Sequence, residues 1–196
     1  MAGGIPTYLS CSLIIEEGFP IEDLKTILYS MQQTAQTAGV SIVTGDTKVI
    51  ERRKGNQIYI NTSGIGILQR KTSYQYQEND VVVLSGSMGC HGASIFMARE
   101  DIHLQGELLS DCACLKDKAM KAMAYDSLRI LRDPTRGGVA TTCMELIEKS
   151  DFGMELYESL LPVDSNVQTL CDLLGFDPLY LACEDVCFVS WMKMMP

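Results

Sequence analysis

Asp133-Pro134-Thr135-Arg136-Gly137-Gly138, running into Val139-Ala140-Thr141-Thr142-Cys143-Met144-Glu145-Leu146-Ile147, is the stretch on which the fold turns. It predicts a Pro-led turn and paired glycines opening a helix at about 139–150. Val139, Cys143, Leu146 and Ile147 then share one apolar face. The first turn of a helix carries unpaired backbone N–H groups and the positive end of the macrodipole. Glycines such as Gly137 and Gly138 let a phosphate approach that backbone, and Arg136 can grip it bidentately. Asp133 and Thr135 add a metal or hydroxyl contact. The pattern reads as an anion site with ATP as the favoured anion; an ordinary Asp-Pro turn entering a helix is the alternative.

A second polar run, Thr44-Gly45-Asp46-Thr47-Lys48, follows the strand-like Val40-Ser41-Ile42-Val43. It is expected where a strand ends. A carboxylate, a hydroxyl and an ammonium there suit a magnesium-bound phosphate, with Asp46 for the hard cation and Lys48 for the oxyanion. A solvated Asp-Thr turn with a surface lysine is the competing reading.

Outward from these stretches the chain alternates strands and helices, which predicts a mixed α and β fold (α+β). Thr7–Ile15 is an expected strand. Ile21, Leu24, Ile27, Leu28, Met31 and Ala35 repeat at helical spacing between Pro20 and Gly39. Strands are expected at 40–44 and 57–67, the second interrupted by the polar Asn61-Thr62-Ser63-Gly64. Residues 51–56 form a charged turn and 71–79 a linker. This divides the chain into a first domain, 1–70, and a second, 80–196. In the second, a buried strand at 80–85 feeds a turn with Gly86, Gly89 and Gly92, then a short helix at 93–99. Helices are expected at 116–130 and 164–174, and a strand at 152–156. The glycine turn matches neither a dinucleotide fingerprint nor a Walker A loop, and leaves open a backbone nest or a plain tight turn. His91 within it is a candidate proton carrier; His103 reads as a surface residue.

Composition narrows the function classes. A net charge of −9 opposes broad nucleic-acid binding, although a local anion site remains compatible with it. No apolar run is long enough to span a bilayer and no basic leader opens the chain, so the expected location is the cytoplasm. Its eight cysteines are then expected reduced. They lack paired Cys-x-x-Cys spacing, which opposes a zinc centre and makes a cysteine-based metal or redox protein the weakest reading.

Thr44–Val49, Ile58-Tyr59-Ile60-Asn61-Thr62-Ser63-Gly64-Ile65-Gly66, Asp133–Ala140 and Leu173-Leu174-Gly175-Phe176-Asp177-Pro178-Leu179-Tyr180-Leu181-Ala182 occur in an order that resembles the HypE family of hydrogenase maturation proteins. These are carbamoyl dehydratases of the aminoimidazole ribonucleotide synthetase-like superfamily, and the resemblance runs from Pro6 to about Glu184. It implies a two-domain architecture and ATP-dependent dehydration of a cysteine thiocarboxamide to a thiocyanate, the source of cyanide for nickel–iron hydrogenase. It further implies ATP and Mg2+ as cofactors, a HypF-type carbamoyltransferase and a HypC–HypD complex as partners, and a homodimer. By matching motifs, Asp46 (also the metal ligand), Thr47, Asp133, Thr135, Arg136, Gly137 and Gly138 would hold the nucleotide. Lys48, Glu184 and His91 would serve the proton steps.

The family pattern also extends beyond both ends of this chain, and its Gly-Lys after the glutamate is replaced here by Asp185-Val186. Pro196 stands at the end rather than an acceptor cysteine. The expectation is a piece truncated at both ends, with both domains incomplete, inactive alone, poorly stable and prone to dimerise or aggregate. A non-catalytic interaction or dimerisation fragment is the reading from another class. Selenophosphate synthetase or thiamine-phosphate kinase relatives are the reading within the superfamily.

Overall fold

The structure is a computed structural model and describes residues 2–71, 77–103, 106–148, 150–184 and 188–192. The chain divides into two units, Gly3–Arg70 and Lys71–Pro196, the latter with Met1–Ala2. Within the span 71–79 expected as a linker, residues 72–76 lie outside the described residues, as do 185–187 (with Cys187) and 193–196 of the divergent tail.

In the first unit the central strand β1 (Gly4–Glu16) alternates in burial. Cys11, Leu13 and Ile15 point to one face and are buried, packed with Phe19, Leu24, Met31 and Ile58. That face is covered by α1 (Ile21–Ala38), which starts after Pro20 and stops where Gly39 takes a left-handed φ of 63°. β2 (Ser41–Ile50) pairs parallel on one edge of β1, and β3 (Ile58–Leu68) antiparallel on the other.

Two expectations are corrected here. Asp46-Thr47-Lys48 does not end a strand: it lies within β2, with Ser12 opposite Asp46 and Ile14 opposite Lys48. Asn61–Gly64 does not interrupt β3, which runs through it with Ser12 opposite Asn61 and Ser10 opposite Ser63. The polar residues read as a break are one side of a continuous strand, because successive side chains alternate between faces.

In the second unit a sheet of order β4-β6-β5 joins β4 (Asp80–Leu84), β5 (Leu128–Arg132) and β6 (Phe188–Met192), all neighbours antiparallel. The helix expected over 116–130 stops early. Helix α3 (Lys116–Met123) gives way to β5, whose Leu128, Ile130 and Leu131 are buried. The strand expected at 152–156 is irregular chain. Across the sheet, Arg129 reaches Asp80 at 2.7 Å, with both side chains largely shielded from water. One core packs Met88, Ile130, Val139, Cys143, Leu146 and Cys183. A second, of Ala93, Val167, Leu170 and Cys171, fills the space between α2 (Cys90–Glu100) and α5 (Ser165–Leu174). The helix entered by the paired glycines is α4 (Gly138–Ile147).

Candidate functional site

The predicted site residues fall on both units. In the first, Asp46 and Lys48 share one face of β2 because they are two residues apart, and Thr47 points the other way. The register extends that face across the sheet: Ser12 and Asn61 lie level with Asp46, while Ile14 and Tyr59 lie level with Lys48. It is the face of β1 opposite the buried Cys11, Leu13 and Ile15, and β2 is exposed at all three of these predicted site positions. One Asp46 carboxylate oxygen accepts the Thr47 N–H at 2.9 Å. Ser12 joins this polar band unforeseen, since a serine in an apolar strand gives no signal until its register is known.

In the second unit two helix starts converge on the segment 179–184. The start of α2 provides one side: Gly89 N–H reaches the Cys183 thiol at 3.2 Å, and Gly92 N–H donates to the Ala182 carbonyl at 3.0 Å. A side chain at Gly92 would meet the Ala182 nitrogen at 2.8 Å, so this glycine exists for close backbone approach. The Ala182 carbonyl and the Cys183 sulfur therefore take these two N–H groups of the glycine turn. The start of α4 provides the other side. The Pro134 carbonyl accepts the Cys183 N–H at 3.2 Å, and a Cβ at Gly138 would lie 2.6 Å from the Leu181 carbonyl oxygen. Pro134 is fully buried, while Arg136 remains exposed and Asp133 and Thr135 are half-buried. Gly137, at φ 71°, caps α4 with no side-chain hydrogen bond, so no side chain occupies the capping position.

The clamped segment ends at Glu184, which it brings beside His91: Glu184 Oε1 lies 3.9 Å from His91 Nε2. The other ring nitrogen, Nδ1, is 2.8 Å from Ser110 Oγ and 3.5 Å from Cys112 Sγ. Ser110 Oγ accepts the Cys112 N–H at 3.2 Å, and Asp111 Oδ2 accepts the Glu184 N–H at 3.1 Å. Ser110, Asp111 and Cys112 were missed in the sequence. They lie in chain without regular structure, where no periodicity marks which side chains face a site. His103 is on the surface, 4.0 Å from its neighbour Asp101.

Burial tunes the thiols behind this corner. Loss of solvent pushes Cys183 up to about 11, with Asp111 and Glu184 acting in the same direction and the Gly89 N–H opposing them. Cys90 is also raised, first by burial and then by Asp111 and Asp164. Among the described residues no group of three or more His, Cys, Asp or Glu side chains is arranged to hold a metal ion. No described helix is long and apolar enough to cross a membrane.

Comparison with known proteins adds sequence and fold evidence. The AIR synthase related protein family matches twice, its N-terminal domain over residues 1–68 and its C-terminal domain over 77–192. The carbamoyl dehydratase HypE of Cupriavidus necator is 46% identical over 188 residues, which is 94% of this chain and 54% of that protein. The chain thus spans about half the length of the curated relatives it matches. A crystal structure of a HypE–HypF complex superposes with a TM-score of 0.94 at 42% identity, covering 97% of this chain and 64% of the other. A HypE structure in complex with ATP gives 0.93 at 38% identity, covering 98% and 59%.

Proposed function

The chain belongs to the AIR synthase related protein family, and from its likeness to HypE proteins we propose a HypE-type hydrogenase maturation factor that binds ATP with magnesium. Its reaction is the ATP-dependent dehydration of a cysteine thiocarboxamide to a thiocyanate. A HypF-type carbamoyltransferase, a HypC–HypD complex and a second copy of the chain are the proposed partners. The ATP complex and the HypF complex of its relatives support the nucleotide and the HypF-type partner of this reading.

The observation that carries it is the clamp on residues 179–184. One short segment ties the Asp133–Gly138 loop to the start of α2 and delivers Glu184 to His91. Each unit carries donors that suit part of a nucleotide. Arg136 and the uncapped N–H groups of α4 suit phosphate oxygens, with Asp133 and Thr135 beside them. Asp46 suits a hard divalent cation, with Thr47 and Lys48 adjoining it. ATP, when bound, supplies the phosphoryl group that turns an amide oxygen into a leaving group.

The chain's own residues then handle protons. Glu184 is the proposed base for the amide N–H, and His91, next to it, receives or returns the proton through Nε2. Lys48 is proposed to steady negative charge as it develops on the departing oxygen.

Isothermal titration of the full chain with ATP and magnesium tests the reading. Binding that weakens about tenfold in Arg136→Ala supports it, in line with loss of a charge-assisted contact. A folded sample that takes up no nucleotide refutes it.

A further inference from the structure

The corner around His91 holds a nucleophile that the dehydration does not use. Cys112 is exposed, whereas the other six described cysteines are buried or half-buried. Its sulfur lies 3.5 Å from His91 Nδ1, and the opposite ring nitrogen faces Glu184 at 3.9 Å. Thiol, imidazole and carboxylate thus stand in the order of an activated nucleophile, its base and the group that orients the base. Ser110 Oγ fixes the Cys112 backbone by accepting its N–H at 3.2 Å.

We infer that Cys112 is a reactive thiol served by His91, a covalent modification site for small uncharged carbon electrophiles such as activated carbonyl compounds. The S–H proton passes to His91 Nδ1 as the Ser110 hydroxyl, 2.8 Å from that nitrogen, rotates away to leave it free. The sulfur electron pair forms the new S–C bond, and the leaving group departs with the pair of the bond it breaks. The proton stays on the imidazole, with Glu184 balancing its charge. Preference for an uncharged electrophile follows from the neighbours. Glu184 stands on His91 and Asp111 holds the Glu184 backbone, so an anionic reagent meets two carboxylates. The other titratable groups of this corner are Cys90 and Cys183, with Asp164 acting on Cys90. Burial keeps both of those thiols protonated at neutral pH, and a thiol reacts as its thiolate. The inference requires no nucleotide and stands or falls apart from the ATP reading.

The probe is iodoacetamide on the full chain at neutral pH, with labelling followed cysteine by cysteine by peptide mass spectrometry. Iodoacetate and free glutathione run in parallel. Cys112 is expected to label about tenfold faster than Cys114 or glutathione, the gain of a thiol with an adjacent base. Its ratio of iodoacetamide to iodoacetate rates should exceed that of glutathione. His91→Gln should bring the Cys112 rate down to that of glutathione while Cys114 is unchanged. A Cys112 rate equal to that of glutathione in the unaltered chain overturns the inference, even where His91→Gln does not fold. Equal rates at Cys112 in folded wild type and His91→Gln overturn it as well.

Discussion

Cys183 shows how much one side chain can carry. It has no solvent exposure, its backbone N–H holds the Pro134 carbonyl, and its sulfur faces the Gly89 N–H. Burial pushes its thiol up to about 11, and that of Cys143 in the same core equally far. A thiol whose pKa is higher folded than unfolded stabilises the fold fully below its unfolded value, near 8.5 to 9. That contribution disappears as pH rises toward the folded value. The urea midpoint of the protein should therefore hold level to about pH 8.5 and fall between there and about pH 11. A Cys143→Ala/Cys183→Ala variant should lose less over that interval. An identical alkaline decline in both proteins would show that these thiols do not set it. Asp46 offers the second residue-scale expectation, this time for the nucleotide site. Asp46→Asn removes the charge but keeps the side-chain oxygen that holds the Thr47 N–H at 2.9 Å. Magnesium-dependent ATP affinity should drop about tenfold or more, with unchanged thermal stability. Titrations at several magnesium concentrations distinguish lost metal affinity from lost nucleotide contacts.

At the scale of elements, the paired glycines act through geometry that no other residue supplies. Gly138 takes a φ of 62°, and a Cβ there would lie 2.6 Å from the Leu181 carbonyl oxygen. Gly138→Ala forces both a left-handed alanine and a backbone shift in the clamped segment. The expected loss is about 2–4 kcal/mol, read as a lower denaturant midpoint at unchanged slope. His91 and Glu184 should also move apart, so the Cys112 alkylation rate is expected to fall in this variant although neither residue is altered. The same region shows what sequence can and cannot announce. Helix α1 was legible because Pro20, the apolar spacing from Ile21 to Ala35 and Gly39 all agree. The helix entered at Gly138 was legible for a similar reason, its buried Val139, Cys143 and Leu146 lying at helical spacing. β5 was hidden: Ala119, Ala122 and the apolar 128–131 run together as one helical pattern, and only pairing with β6 resolves the strand. Asn61–Ser63 misled because polarity in a strand means an open face as readily as a break. The contact of Ser110 and Cys112 with His91 could not be read at all, since it joins loop chain to a helix start far away in sequence.

For the molecule as a whole, the first unit poses a problem of uncovered surface. α1 covers one face of its sheet, and the other exposes Tyr8 at 48%, Ile14 at 42%, Tyr59 at 47% and Ile65 at 72%. These four share that face by register: Tyr8 is opposite Ile65, and Ile14 is opposite Tyr59. Its edge strands β2 and β3 leave further apolar positions in water, Val43 at 59% and Ile67 at 65% among them. The Tyr8–Ile65 and Ile14–Tyr59 pairs flank the polar band of Ser12, Asp46 and Asn61, and exposed apolar patches rimmed by polar residues are where a protein meets a partner. The proposed second copy is a natural occupant, because a two-fold pairing brings the same patch to both sides. Sedimentation velocity over a concentration series should show a monomer–dimer equilibrium. Ile65→Lys places a charge in the exposed Tyr8–Ile65 patch without touching the residues packed under α1. It is expected to weaken association by about 2–3 kcal/mol, roughly a hundredfold in the dissociation constant, while the monomer keeps its circular dichroism. A wild-type chain that stays monomeric at high concentration would remove the homodimer from the proposed function. It would leave this face to the HypF-type or HypC–HypD partners, which a sedimentation mixture with each of them would then resolve.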